Sequence, residues 1–370
     1  MYDYLDIRLT RLEARFGLKP TAVLIGLGLF LVACIYVRPG YQTATGLGHH
    51  YAELARHPFG TGAPNKVGFR FLTPLLSYLV GLRGGLVVVT NLIIAALFIM
   101  AVYWCYRRLS PRPADALIAS SIIAFSLVTL TTIYYSGFCD ALTYVIIFFM
   151  WWWRRKPWLF WILFVLGVFN RESIVFLIPW FLFIRCEGHH SPVRRLSLDL
   201  VAVAMVGLIV WQVRAWQSSH MKIGFDAAYY LEPLRSDPLF YFRRSSLHSL
   251  LGFTTVFKLL WAVPVVAAVY LWRQKKTADL AALIILLVCS AAQLLIAWDS
   301  SRLWTMAFMT VMIALVHLFQ STDTKYRHWI LPLILVNFLV PQDYTAAHII
   351  EYMRSLPDTI VRLLFWDKGW

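Results

Sequence analysis

The chain has 370 residues, of which 60% are hydrophobic and only 14% are charged. Soluble globular domains are roughly 45–50% apolar and about 25% charged, so this composition excludes an ordinary water-soluble enzyme. The net charge of +15 would suggest nucleic acid as a partner in a soluble protein, but the cytoplasmic loops of membrane proteins also collect Lys and Arg. Because most of the positive charge follows such loops, we predict membrane lipids as partners and no nucleic acid.

Long apolar runs recur along the whole sequence, separated by short charged stretches. A run of about 20 apolar residues is long enough for one helical crossing of a bilayer. The pattern therefore predicts an all-α, polytopic bundle of about eleven transmembrane helices, which forms a single integral membrane domain over residues 1–370. The predicted spans lie near residues 21–37, 85–106, 115–133, 141–153, 157–170, 173–185, 197–214, 255–272, 278–297, 303–320 and 329–341.

Arginine and lysine residues occupy every second gap between these spans, beginning with the N-terminal segment 1–20. Later groups are Arg107/Arg108/Arg112, Arg154/Arg155/Lys156, Arg185/Arg194/Arg195, Arg273/Lys275/Lys276 and Lys325/Arg327. Since Lys and Arg favour the cytoplasmic side, this phase predicts a cytoplasmic N-terminus and an extracytoplasmic C-terminus. The sequence has no Asn-x-Ser/Thr sequon, which is compatible with a bacterial plasma membrane.

Three long segments then fall on the outer side of the membrane. Residues 38–82 form a first outer loop, whose last part is apolar but contains Arg70 and Pro74. These two residues favour an outer-face re-entrant or amphipathic helix over a further crossing. Residues 215–254 form a second long outer loop, and residues 345–370 form an outer amphipathic tail.

Carboxylates and arginines gather at the outer ends of the predicted spans, where ionisable groups usually face a bundle interior or a wet cavity. The candidates are Glu53, Arg70, Asp140, Arg171, Glu172, Arg243, Arg244, Asp299 and Arg302. Asp140 opens a helix, so it is either a helix cap or an acid/base group. Arg171–Glu172 and Asp299 with Arg302 are either local ion pairs or parts of a phosphate site.

Other polar groups also have structural alternatives. Glu53 is either a solvated loop charge or a functional carboxylate, and the Arg243/Arg244 pair either binds an anionic ligand or contacts lipid phosphates. The adjacent histidines at 49–50 and 189–190 do not have metal-ligand spacing. The five cysteines are scattered without a CxxC motif. We therefore predict neither a histidine-based metal site nor a disulfide framework.

Four short signatures, together with this architecture, resemble the GT-C superfamily of polytopic glycosyltransferases over residues 20–320. They are Gly68-Phe-Arg70-Phe-Leu-Thr-Pro74, Gly137-Phe-Cys-Asp140-Ala, Asn170-Arg-Glu172-Ser and Asp299-Ser-Ser-Arg302. Members of this superfamily take a sugar from a polyprenyl-phosphate carrier on the outer face of the membrane. The family's usual Asp near the start of the first outer loop is missing here, and Glu53 is the carboxylate that this loop offers instead.

The resemblance implies transfer of a sugar from a polyprenyl-phosphate-linked donor to a glycan, lipid or protein acceptor. It implies Asp140 or Glu53 as the base that takes the acceptor proton, and arginines as ligands of the leaving phosphate, which gains charge as the glycosidic bond breaks. The proposed ligands are Arg70, Arg171 and Arg302, with Glu172 and Asp299 as orienting partners and Arg243 and Arg244 as further basic residues of the outer side. No cofactor is assigned, and a requirement for a divalent cation stays open.

Two other functions fit parts of the same pattern. A transporter or flippase of anionic lipid-linked saccharides would need a charged path that reaches both membrane faces. A polymerase or ligase of lipid-linked glycans would also use basic outer loops. A single added sugar favours simple transfer, whereas a product with a fixed repeat length favours polymerisation.

Overall fold

The apolar runs form α-helices in the computed structural model, which describes residues 1–37, 39–40, 46–60, 67–188, 191–221, 235–237, 240–295, 300–321, 325–340, 342–346 and 349–353. The helices are α1 (Tyr2–Phe16), α2 (Leu18–Tyr36), α3 (Gly46–Arg56), α4 (Leu72–Leu79), α5 (Val87–Leu109), α6 (Pro113–Ala124), α7 (Leu127–Tyr134), α8 (Ala141–Trp152), α9 (Pro157–Asn170), α10 (Ile178–Cys186), α11 (Pro192–His220), α12 (Phe240–Phe257), α13 (Ala262–Arg273), α14 (Thr277–Ala292), α15 (Ser300–Thr305), α16 (Phe308–Gln320) and α17 (Lys325–Leu339). Short 3-10 segments cover Gly84–Leu86, Glu172–Leu177, Lys258–Trp261 and Gln293–Leu295, and strands β1 (Gln342–Ala346) and β2 (Ile349–Met353) form an antiparallel hairpin.

Within the described residues, six helical segments are long and apolar enough to cross a membrane. They are Leu18–Tyr36, Gly84–Leu109, Pro192–His220, His248–Arg273, Thr277–Leu295 and Ser300–Gln320. A seventh is obtained if α6 and α7, which meet at a bend of 43°, are counted as one span. The protein is thus a helical integral membrane protein, as its composition predicts.

The predicted count of about eleven spans is not borne out, and the difference arises mainly between residues 141 and 185. Three predicted spans there form helices of 12, 14 and 9 residues. At 1.5 Å per residue these helices are shorter than the hydrocarbon core of about 30 Å. The apolar runs are interrupted by a turn at residues 153–156 and by the 3-10 segment Glu172–Leu177, so hydropathy alone overstates their helical length.

Three segments that the sequence analysis predicts on the outer side also differ from, or refine, the expectations. The apolar end of the predicted first loop forms α4, an eight-residue helix that is too short for a crossing. The second long loop is partly helical, because α11 continues to His220 and α12 begins at Phe240. The polar run Arg243-Arg244-Ser245-Ser246 interrupts the apolar residues of α12 in the sequence. The tail begins as the hairpin β1–β2, in which Gln342 pairs with Met353, and residues 354–370 lie outside the described residues.

Burial distinguishes a central helix from a peripheral one. Of the apolar window of the span that contains α16, 78% is buried inside the protein, whereas the figure for α11 is 11%. Helix α16 therefore packs on protein, and α11 presents most of its apolar side chains to the surroundings, as a lipid-facing helix does. Elsewhere the packing is close: a Cβ atom at Gly26 of α2 would collide with Met100 of α5, which is typical of small residues between membrane helices.

Helices α8 and α9 define two ends of the bundle. Asp140 immediately precedes α8, and Arg154 follows its last turn, so the two residues are separated by about 18 Å of helix. Helix α9 runs back, so that Arg171, which follows α9, pairs with Asp140. We call these the Asp140 end and the Arg154 end.

Candidate functional site

The Asp140 end contains a carboxylate that is shared by two arginines. Arg171 binds one carboxylate oxygen of Asp140 through Nη1, and Nε of Arg302 donates to the other at 2.5 Å. All three residues are at least 95% buried. Asp140 makes no side-chain capping hydrogen bond to α8, so its carboxylate serves the arginines rather than the helix end.

A second pair lies beside the first. Arg70 donates to both carboxylate oxygens of Glu172, including Nε to Oε2 at 2.9 Å, in a two-pronged arrangement. Such paired hydrogen bonds fix the position and orientation of the guanidinium group in addition to balancing its charge. Consequently the neighbours Arg171 and Glu172 do not pair with each other: one turns to Asp140 and the other to Arg70, 102 residues earlier in the chain.

Asn170 holds the backbone segments that carry these charged residues. Its Oδ1 accepts hydrogen bonds from the amide and the hydroxyl of Thr73, at 3.2 and 2.6 Å. Its Nδ2 donates to the carbonyl of Cys139 and to the hydroxyl of Thr143, both at 2.8 Å. Asn170 is 1% exposed, so one buried amide joins α4, the end of α9 and the start of α8.

The C-terminal hairpin fixes the short helix that carries Arg302. The hydroxyl of Ser300 donates to the carbonyl of Thr345 at 3.1 Å, and the amide of Thr345 donates to the hydroxyl of Ser301 at 2.8 Å. The guanidinium of Arg302 also lies over the ring of Phe138, 4.5 Å from its centre. Helix α15 is thereby tied both to β1 and to the turn before Asp140.

Arg214 and Gln217, near the end of α11, complete the site and were missed by sequence reasoning. Arg214 lies over the ring of Phe69, with 5.1 Å from Cζ to the ring centre, and its Nε is buried with no hydrogen-bond partner among the described residues. Gln217 donates to the carbonyl of Gly68 at 3.2 Å. The sequence signal for these two residues is their spacing of three positions at the end of a predicted span. Only the fold shows that Arg214 lies against Phe69.

The electrostatic balance of the site is positive. Burial by itself raises the pKa of the Asp140 carboxyl, but Arg171 and Arg302 outweigh burial and hold that pKa well below its ordinary value. Arg70 likewise outweighs the effect of burial and lowers the pKa of Glu172. Both carboxylates are therefore ionised at neutral pH. Two carboxylates face the arginines 70, 171, 302 and 214, and this leaves an excess of cationic groups in a largely buried place.

Tyr51 and Glu53 show how α3 contributes to the site. Tyr51 is buried and interacts with Arg70 through its hydroxyl. Glu53 lies two positions further along the helix, about 200° around its axis, and pairs with Arg56 at 2.7 Å while 41% of its side chain is exposed. The structure thus brings Tyr51 to the cluster and does not bring Glu53 into the ion pairs.

Three predicted site residues have side chains outside the described part of the structure. Asp299 lies outside the described residues. Arg243 and Arg244 lie in α12, and their side chains are outside the described part of the structure. Within the described ranges, no group of three or more His, Cys, Asp or Glu residues could hold a metal ion. Comparisons with family models, with curated proteins and with solved structures give no match for this chain.

Proposed function

We propose that the protein is a membrane glycosyltransferase of the GT-C type, which transfers a sugar from a polyprenyl-phosphate-linked donor to a glycan, lipid or protein acceptor. The observation that carries the proposal is the convergence of Arg70, Arg171 and Arg302 at one end of the helical bundle, each held by a carboxylate. Fixed, desolvated cations of this kind suit a phosphate whose charge increases in the transition state.

The proposed step balances as a displacement at the anomeric carbon. A base takes the proton of the acceptor hydroxyl, the acceptor oxygen bonds to the anomeric carbon, and the bond from that carbon to the phosphate oxygen breaks. The polyprenyl phosphate leaves with an additional negative charge, which the arginines stabilise. Glu172 orients Arg70, and Asp140 orients Arg171 and Arg302.

Asp140 and Glu53 remain the two candidates for the base. The lowered pKa of Asp140 makes this carboxylate a weak proton acceptor, and both of its oxygens are engaged by arginines. These facts favour a positioning role for Asp140. Glu53 has the exposure that an incoming acceptor requires, but it lies outside the ion-pair cluster.

The proposed setting is a bacterial plasma membrane, with the N-terminus in the cytoplasm and the Asp140 end on the outer face. The alternate Lys/Arg groups support this orientation. A cysteine introduced at exposed Phe59, beside the site, and one introduced at exposed Arg15 test it with a membrane-impermeant thiol reagent on intact cells. We expect labelling at residue 59 only, and the reverse result would invert the orientation.

The proposed reaction is tested with the purified protein in lipid, a panel of radiolabelled polyprenyl-phosphate sugars and native membrane extract as acceptor. Wild type should move label from one carrier to the acceptor, and Arg302→Gln should reduce the rate about 100-fold. Arg107→Gln is the matched control, because Arg107 also forms a partly buried pair, with Glu13 at 2.8 Å, away from the site.

Separate measurement of donor binding distinguishes transfer from transport. A carrier that binds tightly but stays intact with every sugar and acceptor would overturn the transferase proposal in favour of a transporter or flippase. A product lengthened by a fixed repeat would instead indicate a polymerase. Failure of all donors to bind the folded wild type would contradict each of these functions.

A further inference from the structure

The Arg154 end contains a basic cavity that the proposed transfer reaction does not use. Its volume is about 320 Å³, and it lies where the end of α8, the end of α10 and the start of α11 meet. The polar side chains that line it are Arg154, Arg155, Arg185, Glu187 and Arg195. Four of these five groups are cations, so the cavity has the composition of an anion site.

Asp199 holds two of the four cavity arginines in position. Arg185 donates to the two oxygens of Asp199 at 3.0 and 2.8 Å, and Arg195 donates to one of them at 3.1 Å. The side chains of Arg185 and Asp199 are 0% and 3% exposed. A single buried carboxylate therefore positions two guanidinium groups at the cavity wall.

The other two arginines are less well compensated. Nη1 of Arg154 donates to the carbonyl of Trp151 at 3.1 Å, and exposed Arg155 has no ion pair among the described residues. Burial and the neighbouring charge of Arg155 both lower the pKa of Arg154. The carboxylates of Glu187 and Asp279 act on Arg154 in the opposite direction. Counting Asp199, Glu187 and Asp279 against the four arginines, one positive charge remains in excess.

We propose that this cavity binds the phosphate group of an anionic phospholipid. Charge needed only to orient the protein in the membrane would not require four arginines around one cavity, two of them anchored by a buried carboxylate. Basic pockets between membrane helices are suited to acidic lipid head groups. This inference is independent of the proposed transfer reaction.

The surroundings of the cavity favour a lipid over a free phosphate ion. Trp158, in the first turn of α9, is 64% exposed, and Leu198, three residues after Arg195 and therefore on the same face of α11, is 56% exposed. These apolar side chains offer contact to acyl chains close to the arginines. A soluble phosphate ion would gain nothing from them, because it has no apolar part.

The test uses the full chain, purified in a zwitterionic detergent, and native mass spectrometry to follow binding of phosphatidylglycerol and of phosphatidylcholine with the same acyl chains. The variants are Arg155→Gln, Arg195→Gln and the double substitution. Arg194→Gln is the matched control, since Arg194 is exposed, adjoins Arg195 in sequence and does not line the cavity. A parallel series adds inorganic phosphate as a competitor.

We expect wild type to bind phosphatidylglycerol at least tenfold more tightly than phosphatidylcholine. The double variant should lose about tenfold or more of this affinity, since each arginine near an anionic surface contributes about fivefold. Arg194→Gln should stay within about twofold, and millimolar inorganic phosphate should displace little lipid. Arg155→Gln keeps the test valid if Arg195→Gln unfolds, because Arg155 is exposed.

Three results would overturn the proposal. Equal affinity for the two lipids would remove the recognition of an anionic head group. An equal loss in Arg194→Gln would show a diffuse charge effect in place of a cavity. Displacement of phosphatidylglycerol by inorganic phosphate at a similar concentration would assign the cavity to a soluble anion.

Discussion

Two regions of the molecule use the same arrangement, in which one buried aspartate is shared by two arginines. At the Asp140 end, Asp140 joins Arg171 and Arg302, which lie 31 and 162 residues away in sequence. At the Arg154 end, Asp199 joins Arg185 and Arg195, which lie 14 and 4 residues away. The first cluster is thus assembled by the tertiary structure, and the second by consecutive helices.

The difference shows that the Arg–Asp–Arg motif by itself does not identify a reaction site. Asp199 holds Arg185 from the end of α10 and Arg195 from the start of α11. Helix packing or lipid binding is enough to account for such a local arrangement. Asp140 brings together separate parts of the bundle and stands beside a second pair, Arg70–Glu172. A long-range cluster of this kind costs more to assemble, and this is the reason to expect a function there.

The largest expected effect follows from removing either aspartate. Asp140→Ala and Asp199→Ala should each lower the free energy of unfolding by about 3–5 kcal/mol, because two buried guanidinium groups lose their counter-charge. Reversible unfolding in detergent, followed by circular dichroism, measures this. Donor binding by the remaining folded protein should be lost in Asp140→Ala and retained in Asp199→Ala. If both variants lose donor binding equally, the proposed distinction between the two regions is wrong.

The role of the arginines at the Asp140 end is sharpened by substituting Arg70. Arg70→Lys keeps the charge but cannot reproduce the two-pronged contact with Glu172, and we expect a fall in transfer rate of roughly 100-fold. Initial rates with labelled donor measure the effect, with Arg107→Lys as control. A rate within about twofold of wild type would mean that only net charge matters there.

A neutral residue of the same end provides the next test. Asn170→Ala removes four hydrogen bonds to Thr73, Cys139 and Thr143, and leaves buried partners unsatisfied. We expect a loss of stability of about 2–3 kcal/mol, measured by denaturant unfolding. Thr143→Val, which removes one of these contacts, should cost about 1 kcal/mol. Equal costs for both variants would contradict the view that Asn170 joins three segments.

The pH dependence of stability tests whether the Asp140 carboxylate is ionised in the folded protein. Because the pKa of Asp140 is lower in the folded than in the unfolded protein, its contribution is fully present above the unfolded pKa of about 3.9. This contribution is lost as the pH falls through the folded pKa. Thermal unfolding should therefore show a decline below about pH 4 that is reduced in Asp140→Asn. Identical profiles would argue against an ionised Asp140.

The smallest effect on stability is expected at Glu53. Its ion pair with Arg56 is exposed, with 41% and 57% of the side chains accessible, and such pairs contribute at most about 0.5 kcal/mol. Glu53→Gln should therefore leave the unfolding midpoint nearly unchanged. Transfer within about twofold of wild type would remove Glu53 as the base, whereas a loss of about 100-fold with normal donor binding would assign the base to it.

The sequence predicted the helical membrane class well and the number of spans poorly. Hydropathy integrates over long segments, so the spans around residues 18–36 and 84–109 are clear in both sequence and structure. Between residues 141 and 185 the same signal covers short helices and a 3-10 segment, because apolar residues suit a buried short helix as well as a crossing. Helix length is decided there by turns and packing, which hydropathy does not report.

The sequence by itself determined the composition of the site: arginines and carboxylates at the ends of apolar helices, including Arg70, Asp140, Arg171, Glu172 and Arg302. Only the tertiary structure decided their partners, sending Arg171 to Asp140 and the adjacent Glu172 to Arg70, and it added Arg214 from α11. The physical reason is that burial and desolvation costs follow from the local composition, whereas ion pairing depends on distances of a few ångströms between segments far apart in the chain.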